Sequence, residues 1–398
     1  MNTARLPRSR RTRSSRALAA AGVLSLAVVG LAACSSDDDS AASTDAAASA
    51  GGGASSDLAA AVAKYEKPLD AYPVPTDPID GGVGSLRGKT VYYIPISAQS
   101  PQFAVTQTAL VTALGQVGIH VQSCDGKGTP TDVSACVSQA TKAKAGTIVT
   151  DAVPYGLAAN AFDAAQKAGI PVIISNQVPD DAHPDSKTLL IIAAGGSEMQ
   201  VALADWITLD SGGKANVLIN QSTDGPSPAV FVQAGKDAFA KNCPDCKVTV
   251  NEVSSANFSL IPSSTSSALL KNPSIDYVES QFEQYLQATQ AGVQQANKMA
   301  KVKGVTGAAQ LSGLKQLASG NFLYAASAQA SAYQGWVDAD ASMRLMLGKD
   351  LPDYTIPVRL FTQDSVKDVQ LTDDAQASGE WFGPSTFTDD FLKLWGVA

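Results

Sequence analysis

The run KTVYYIPI at residues 89–96 is continuously apolar from Val91 on. A strand with apolar side chains on both faces belongs inside a sheet that is covered on both sides. Residues 101–118 follow with Phe103, Leu110, Leu114 and Val117 on one helical face, and Pro101 falls in the first turn, where a helix accepts proline. The alternation then continues. IHVQSC and TIVTDAV read as strands, and TPTD at 129–132 reads as a helix start with Thr129 as cap. A helix over 157–168, then IPVIISNQV and TLLIIAAGG, complete a first half.

A second half repeats the pattern. SEMQ at 197–200 matches a capping box, and its helix groups Met199, Leu203, Trp206 and Ile207. ANVLIN, a helix over 228–240, KVTVNEV, a helix near 262–271, IDYVESQF, a long helix over 285–300 and FLYAASAQ follow. Strands alternating with helices imply parallel sheets. Two halves in series predict an α/β chain of two doubly wound, Rossmann-like domains, with ligands at the carboxyl ends of the strands.

The N-terminus is of another kind. RLPRSRRTRSSR is a positive region and ALAAAGVLSLAVVGLAA a short apolar one, the order of a secretory signal. LAAC then places Cys34 as the lipidated first residue of a bacterial lipoprotein; an uncleaved membrane anchor is the alternative. Residues 1–33 are therefore read as signal and 34–87 as lipidated Cys plus flexible tether, rich in Ala, Ser, Gly and Asp up to 64 and in Pro after that. Either anchor places the body of the protein outside the cytoplasm. There an even number of cysteines favours disulfides. Cys124, Cys136, Cys243 and Cys246 remain, the nearest pairing being Cys124 with Cys136 and Cys243 with Cys246. CPDC also resembles a redox or zinc half-site, but the second closely spaced pair that a zinc site needs is missing and His120 and His183 are distant. No cofactor or metal is expected.

Without the six Arg among residues 1–33, 23 basic side chains face 37 acidic ones, a net of −14. Such a body repels nucleic acid and anionic lipid. Catalysis has little to stand on: G-x-S-x-G, G-x-x-x-x-G-K-[ST] and a dinucleotide fingerprint after the first strand are missing, and only two His occur.

The loops after the strands hold amides, hydroxyls and rings. They contribute Ser97, Gln99, Gln102 and Phe103, then Asn176 and Gln177, then Gln221, Ser222, Thr223 and Asp224, and later Phe258, Gln281, Phe282 and Gln329, a set poor in charge. Amides hydrogen-bond hydroxyls and carbonyls in both directions, and rings cover apolar faces. A neutral polar ligand is the expectation. Whether Tyr155, Tyr285 and Trp336 face the cleft or the core stays open.

YYIPISAQSPQF, AFDAAQKAGIPVIISNQ, YLQATQAGVQQA and AASAQASAYQGWVDADASMRLMLGK together give a pattern, from 89 to about 361, that resembles the type I periplasmic binding proteins of ABC importers, the ribose-binding-like group. The lipobox and the ending FTDDFLKLWGVA fit an actinobacterial lipoprotein branch. The resemblance implies two α/β domains joined by three crossovers, near 193–196, 326–329 and 356–361. The domains would be 88–195 plus 329–357, and 196–328 plus 358–398. It further implies a ligand set at Ser97, Gln99, Gln102 and Phe103, a sugar-stacking ring at Phe258, an amide at Gln281 and a hinge amide at Gln329. Where ribose-like members carry Asp-Arg this chain has Asn176-Gln177; a further Arg is replaced by Val232, and an Asp by Ala309 or Gln310. The implied ligand therefore has fewer hydroxyls and more carbon than a common sugar. The implied protein is a monomeric, lipid-anchored substrate-binding partner of an ABC permease, with a sensor of the same fold as the alternative.

Overall fold

The computed structural model describes residues 48–397 except 80 and 194. The expected signal segment and Cys34 lie outside the described residues. The tether expected up to residue 87 needs correction within them. Ala48–Glu66 is a helix, α1, with Val62 buried in a cluster that includes Leu203 and Ile207. Residues 67–79 and 81–86 form a strap packed on the core through Tyr72, Ile79, Val83 and Leu86, all buried. Its prolines keep residues 67–79 extended, a 3-10 turn closes it at Val83–Leu86, and its apolar side chains fix it in place.

The first sheet contains β1 (Thr90–Pro95), β2 (His120–Ser123), β3 (Thr147–Asp151), β4 (Val172–Gln177) and β5 (Leu189–Ala193). Its order is β2-β1-β3-β4-β5, and every pairing is parallel. The helices α2 (Pro101–Gln116), α3 (Pro130–Lys142) and α4 (Ala159–Lys167) connect these strands. Thr129 caps α3 as expected, its side chain accepting from Asp132 N. A 3-10 turn, Tyr155–Leu157, precedes α4, which is shorter than the expected helix. Cys124 is bonded to Cys136 at the edge of this sheet, and Cys243 to Cys246 in the second domain.

The second sheet follows with α5 (Gly196–Asp210), β6 (Asn216–Ser222), α6 (Ser227–Asn242), β7 (Lys247–Val253), α7 (Ile261–Lys271), β8 (Tyr277–Ser280), α8 (Leu286–Gln295), β9 (Lys303–Thr306), α9 (Leu311–Ala318), β10 (Leu323–Gln329), α10 (Ser331–Leu347) and β11 (Val358–Thr362). Its order is β11-β10-β9-β8-β6-β7, parallel except where β11 pairs antiparallel with β10. α5 starts at Gly196 with Gly195 as N-cap and no side-chain cap, so the SEMQ capping box is not used. α8 is likewise shorter than the helix expected over 285–300.

The chain passes between the sheets three times: after β5, after β10 and before β11. At the second passage α10 returns to the first sheet. It is buried on all sides from 331 to 345, the mark of a helix enclosed by protein. One side lies against α2 so closely that a Cβ at Gly335 would stand 2.5 Å from Thr106 O and 2.6 Å from Ala109 Cβ. The other side carries Tyr333 and Trp336. Tyr333 stacks on Tyr72 of the strap at 4.8 Å, and Trp336 stacks on Trp395 at 5.4 Å.

That aromatic cluster corrects the place of the C-terminus. α11 (Asp373–Ser378) and α12 (Phe387–Leu394) were expected with the second domain. Instead Phe387 and Phe391 of α12 pack on Tyr333 and Trp336, and Trp395 Nε1 donates to Asp340 Oδ1 at 2.8 Å. Ring pairs of this kind add about 0.5–1.5 kcal/mol each beyond burial. They draw the tail onto α10.

Gly335→Ala is expected to destabilise the protein by about 1–3 kcal/mol through overpacking, although alanine is the better helix former by about 1 kcal/mol. Urea unfolding measures this; an unchanged or raised midpoint would show that α2 and α10 are not held at this separation.

Candidate functional site

The carboxyl ends of the two sheets face each other across a cleft with about 850 Å3 of empty space, open solvent at its mouth included. Three strand ends turn into it through left-handed backbone: Ala152 after β3 (φ 57°), Asn176 in β4 (φ 59°) and Ala308 after β9 (φ 54°). Alanine in this region is strained, and such strain gathers at sites where the chain must present its backbone to something.

From the first sheet, Ser97, Gln102 and Phe103 form one wall with Asn176 and Gln177. Gln102 and Phe103 are buried at the start of α2. From the second sheet come Ser222, Asp224, Ser227, Phe231 and Phe282, with Met199 and Gln329 near the hinge. Gly196 leaves room for the Phe231 ring, since a Cβ there would meet it at 2.4 Å. The two walls touch. Ser227 Oγ donates to Gln177 Oε1 at 2.7 Å and accepts from Val178 N at 3.1 Å.

The hinge amides are interlocked. Gln329 Nε2 donates to Asn176 Oδ1 at 2.7 Å and to Gln334 Oε1 at 2.6 Å, and Gln329 Oε1 accepts from Gly195 N at 3.2 Å. Asn176 Nδ2 in turn donates to Asp151 Oδ1 at 2.6 Å, whose other oxygen accepts from Tyr93 Oη at 2.6 Å. Burial lifts the Asp151 carboxyl to about 6 against these hydrogen bonds. Burial, and then the nearby Asp151 charge, push Asp338 well above the ordinary carboxylate range. Below the second wall, burial lifts Glu279 to about 7.

The remaining expected residues are placed elsewhere. Gln281 is buried, but its amide is used within the second domain: Nε2 donates to Pro228 O and Oε1 accepts from Ser222 N. Gln310 faces a groove outside the cleft, where its Oε1 accepts from Gln376 Nε2. Phe258 is 43% exposed and lines an outer groove together with Gln99. Tyr155 stacks on His183 at 3.8 Å, and Trp336 belongs to the aromatic cluster on α10.

The expected lack of charge is also corrected. Asp224 and Glu283 both line the cleft. Burial works to raise Asp224, but hydrogen bonds from Ser255, Tyr285 and Ser254 outweigh it and hold the carboxyl below its usual range. The shortest runs from Tyr285 Oη at 2.6 Å. Burial raises Glu283, whose oxygens accept from Gln310 N, Ser312 Oγ and Gly313 N at the start of α9. QSTDGP and QFEQY each put an acid one turn after a strand, and that spacing was the signal available for them.

Residues 91–350 match the family model of the periplasmic binding protein domain. The chain belongs to that family of extracytoplasmic, substrate-binding proteins. No curated protein matches it. Similar solved structures include one from Mycobacterium smegmatis in complex with β-D-fucofuranose (18% identity, 73% of this chain, 97% of that chain, TM-score 0.63). Another is an Agrobacterium vitis ABC transporter solute-binding protein bound with α-D-tagatopyranose (19%, 70% and 96%, 0.64). A third is a Thermotoga lettingae 5-methylthioribose transporter solute-binding protein in complex with 5-methylthioribose (14%, 80% and 99%, 0.64). At these identities the likeness is one of fold. No helix among the described residues is long and apolar enough to cross a membrane, and no group of three or more His, Cys, Asp or Glu among them is arranged to hold a metal ion.

Glu279 gives a signed pH prediction. A carboxyl with a folded value near 7 and an unfolded value near 4.5 binds its proton more tightly in the folded state. Stability is therefore lost as pH rises between these values, by up to about 3 kcal/mol, and the loss is complete above them. Glu279→Gln should gain on wild type across that window. Urea unfolding at pH 4.5 and pH 8 measures the gap; a gap that does not grow with pH would contradict a carboxyl held buried without a cation beside it.

Proposed function

We propose that this protein is the solute-capturing component of an ABC importer. It holds one small molecule in the cleft between its two α/β domains and presents it to a permease. The observation that carries this reading is the cleft itself. Phe103, Phe231 and Phe282 line it beside Gln102 and Gln177, a combination that covers the carbon faces of a small molecule and hydrogen-bonds its polar groups. The Ser227–Gln177 bond is the kind of contact that closes two domains over a guest.

Residues 88–195 with 329–357 form one lobe and 196–328 with β11 the other, bridged by the strap and the C-terminal helices. Closure is a hinge motion at the three passages. A lipid on Cys34 keeps the protein at the outer face of the membrane, with residues 35–47 as spacer. The fold neighbours bound to tagatopyranose, fucofuranose and 5-methylthioribose support a ligand of monosaccharide scale. The last of these carries a methylthio group, in keeping with the apolar lining here.

Sugars, polyols, nucleosides and methylthio or aromatic compounds can be screened by thermal shift on the mature protein. A ligand at a hundred times its Kd should stabilise it by about 2.7 kcal/mol. No shift from any class, with nothing co-purifying, would overturn the proposal.

For a ligand found in this way, Phe103→Ala should weaken binding about tenfold, whereas Phe258→Ala should leave it within about twofold. Titration calorimetry reads both. Equal losses would return Phe258 to the site.

A further inference from the structure

The two walls of the cleft differ in what they leave unpaired. On the second wall the hydroxyls and carboxylates are spent on one another. Tyr285 Oη gives its single proton to Asp224 and so takes those of Ser222 and Ser255. Asp224 also accepts from Ser254 Oγ and, with both oxygens, from Ser255 N. Glu283 is taken up by the start of α9. What that wall turns to a guest is Met199, Pro228, Phe231 and Phe282.

The first wall is the reverse. Gln102 lines the cleft and is 7% exposed, and neither end of its side-chain amide is hydrogen-bonded among the described residues. Gln177 is 6% exposed; Ser227 occupies its oxygen, and its Nε2 has no partner among them. Ser100 is the N-cap of α2, where a serine ordinarily accepts from the first N–H groups of the helix. Its side chain makes no such bond and lines the cleft instead. Buried polar groups are nearly always paired, so three unpaired ones on a single wall call for a partner of their own.

We infer that the ligand is uncharged and carries its polar groups on one edge, a donor beside an acceptor as in a carboxamide or a vicinal diol, on a hydrocarbon body. The polar edge lies on Gln102, Gln177 and Ser100, and the hydrocarbon on Phe231, Phe282 and Met199. The inference rests on the cleft being the binding site. The amide of Gln102 offers a carbonyl and an N–H side by side, so it pairs with a guest that offers the complement side by side. A pyranose does not match this asymmetry. Its hydroxyls run around the whole rim, and those turned to the second wall would be buried without partners, which weakens binding. An ion matches no better, because the cleft is lined by no Lys, Arg or His and its two carboxylates are already engaged.

Titration calorimetry on the mature protein can compare compounds built on one ring. Cyclohexanecarboxamide and cis-cyclohexane-1,2-diol have a single polar edge, myo-inositol is hydroxylated all round, and cyclohexanecarboxylate and cyclohexylammonium are charged. The expected result is that one of the first two binds about tenfold or more tightly than inositol and either ion; which of the two it is tells amide from diol. It should also bind about tenfold more tightly than its single-group analogue, methyl cyclohexanecarboxylate for the amide or cyclohexanol for the diol. Gln102→Met, similar in length but without the amide and with its folding checked by circular dichroism, should remove that last preference. Inositol or an ion binding as tightly as the one-edged compound, or a preference that survives Gln102→Met, would overturn the inference. If none of these compounds binds, the solute that co-purifies with the protein decides, identified by mass spectrometry and NMR. A neutral solute with one polar edge upholds the inference. A polyhydroxylated or charged one overturns it and leaves the cleft reading standing, and the absence of any solute removes both.

Discussion

The side-chain amide of Gln329 holds the hinge together. It stands where β10 ends and the chain leaves the second sheet for α10. Its nitrogen donates to Asn176 at the end of β4 and to Gln334 in α10, and its oxygen accepts from Gly195 at the first passage. One buried side chain thus joins two of the three passages and the floor of the cleft. Leaving such partners unpaired in a buried place costs about 1–3 kcal/mol for each group. The geometry of the whole cleft depends on this amide keeping its three bonds.

Behind the hinge the molecule is stiffened. Arg344 pairs with Asp340 at 2.7 Å on α10, both buried, and its guanidinium also donates to Asp77 O in the strap. Tyr354 Oη and Trp395 Nε1 complete the Asp340 carboxylate. Buried ion pairs recover their desolvation cost only when every lone pair is satisfied, and here the neighbours satisfy them. The strap, α10 and α12 therefore act as one block. Motion between the domains is left to the few residues at the passages.

Much of this fold was legible in the sequence because parallel sheets need doubly buried strands, and KTVYYIPI and IPVIISNQV announce them. Thr129 and Pro130 likewise marked the start of α3 without ambiguity. The failures share a cause in tertiary context. Ser197 had the spacing of a capping box, yet Gly195 starts α5, because the passage at 193–196 and the bond from Gly195 N to Gln329 set where that helix begins. α12 joins α10 through rings far apart in sequence. In the cleft, Gln102, Phe103, Asn176, Gln177 and Gln329 were readable as polar or aromatic strand-end residues. Gln281 and Gln310 looked the same by position, but one is spent on Pro228 O and Ser222 N and the other on Gln376. Asp224 stood in the loop after ANVLIN, with no role attached to it. Its four hydrogen bonds, from Ser254 Oγ, from Ser255 N to both oxygens and from Tyr285 Oη, are made by residues 30 to 61 positions away and emerge only in the fold.

The central claim is that the cleft holds one small molecule. Native mass spectrometry of the protein, purified gently from the cells that make it and then compared with the denatured chain, tests this most directly. The account predicts one noncovalent adduct per chain, of monosaccharide scale, lost on denaturation and weakened when Gln329 is replaced by Ala. A native mass equal to that of the bare chain, even after incubation with a concentrated extract of small molecules, would contradict it.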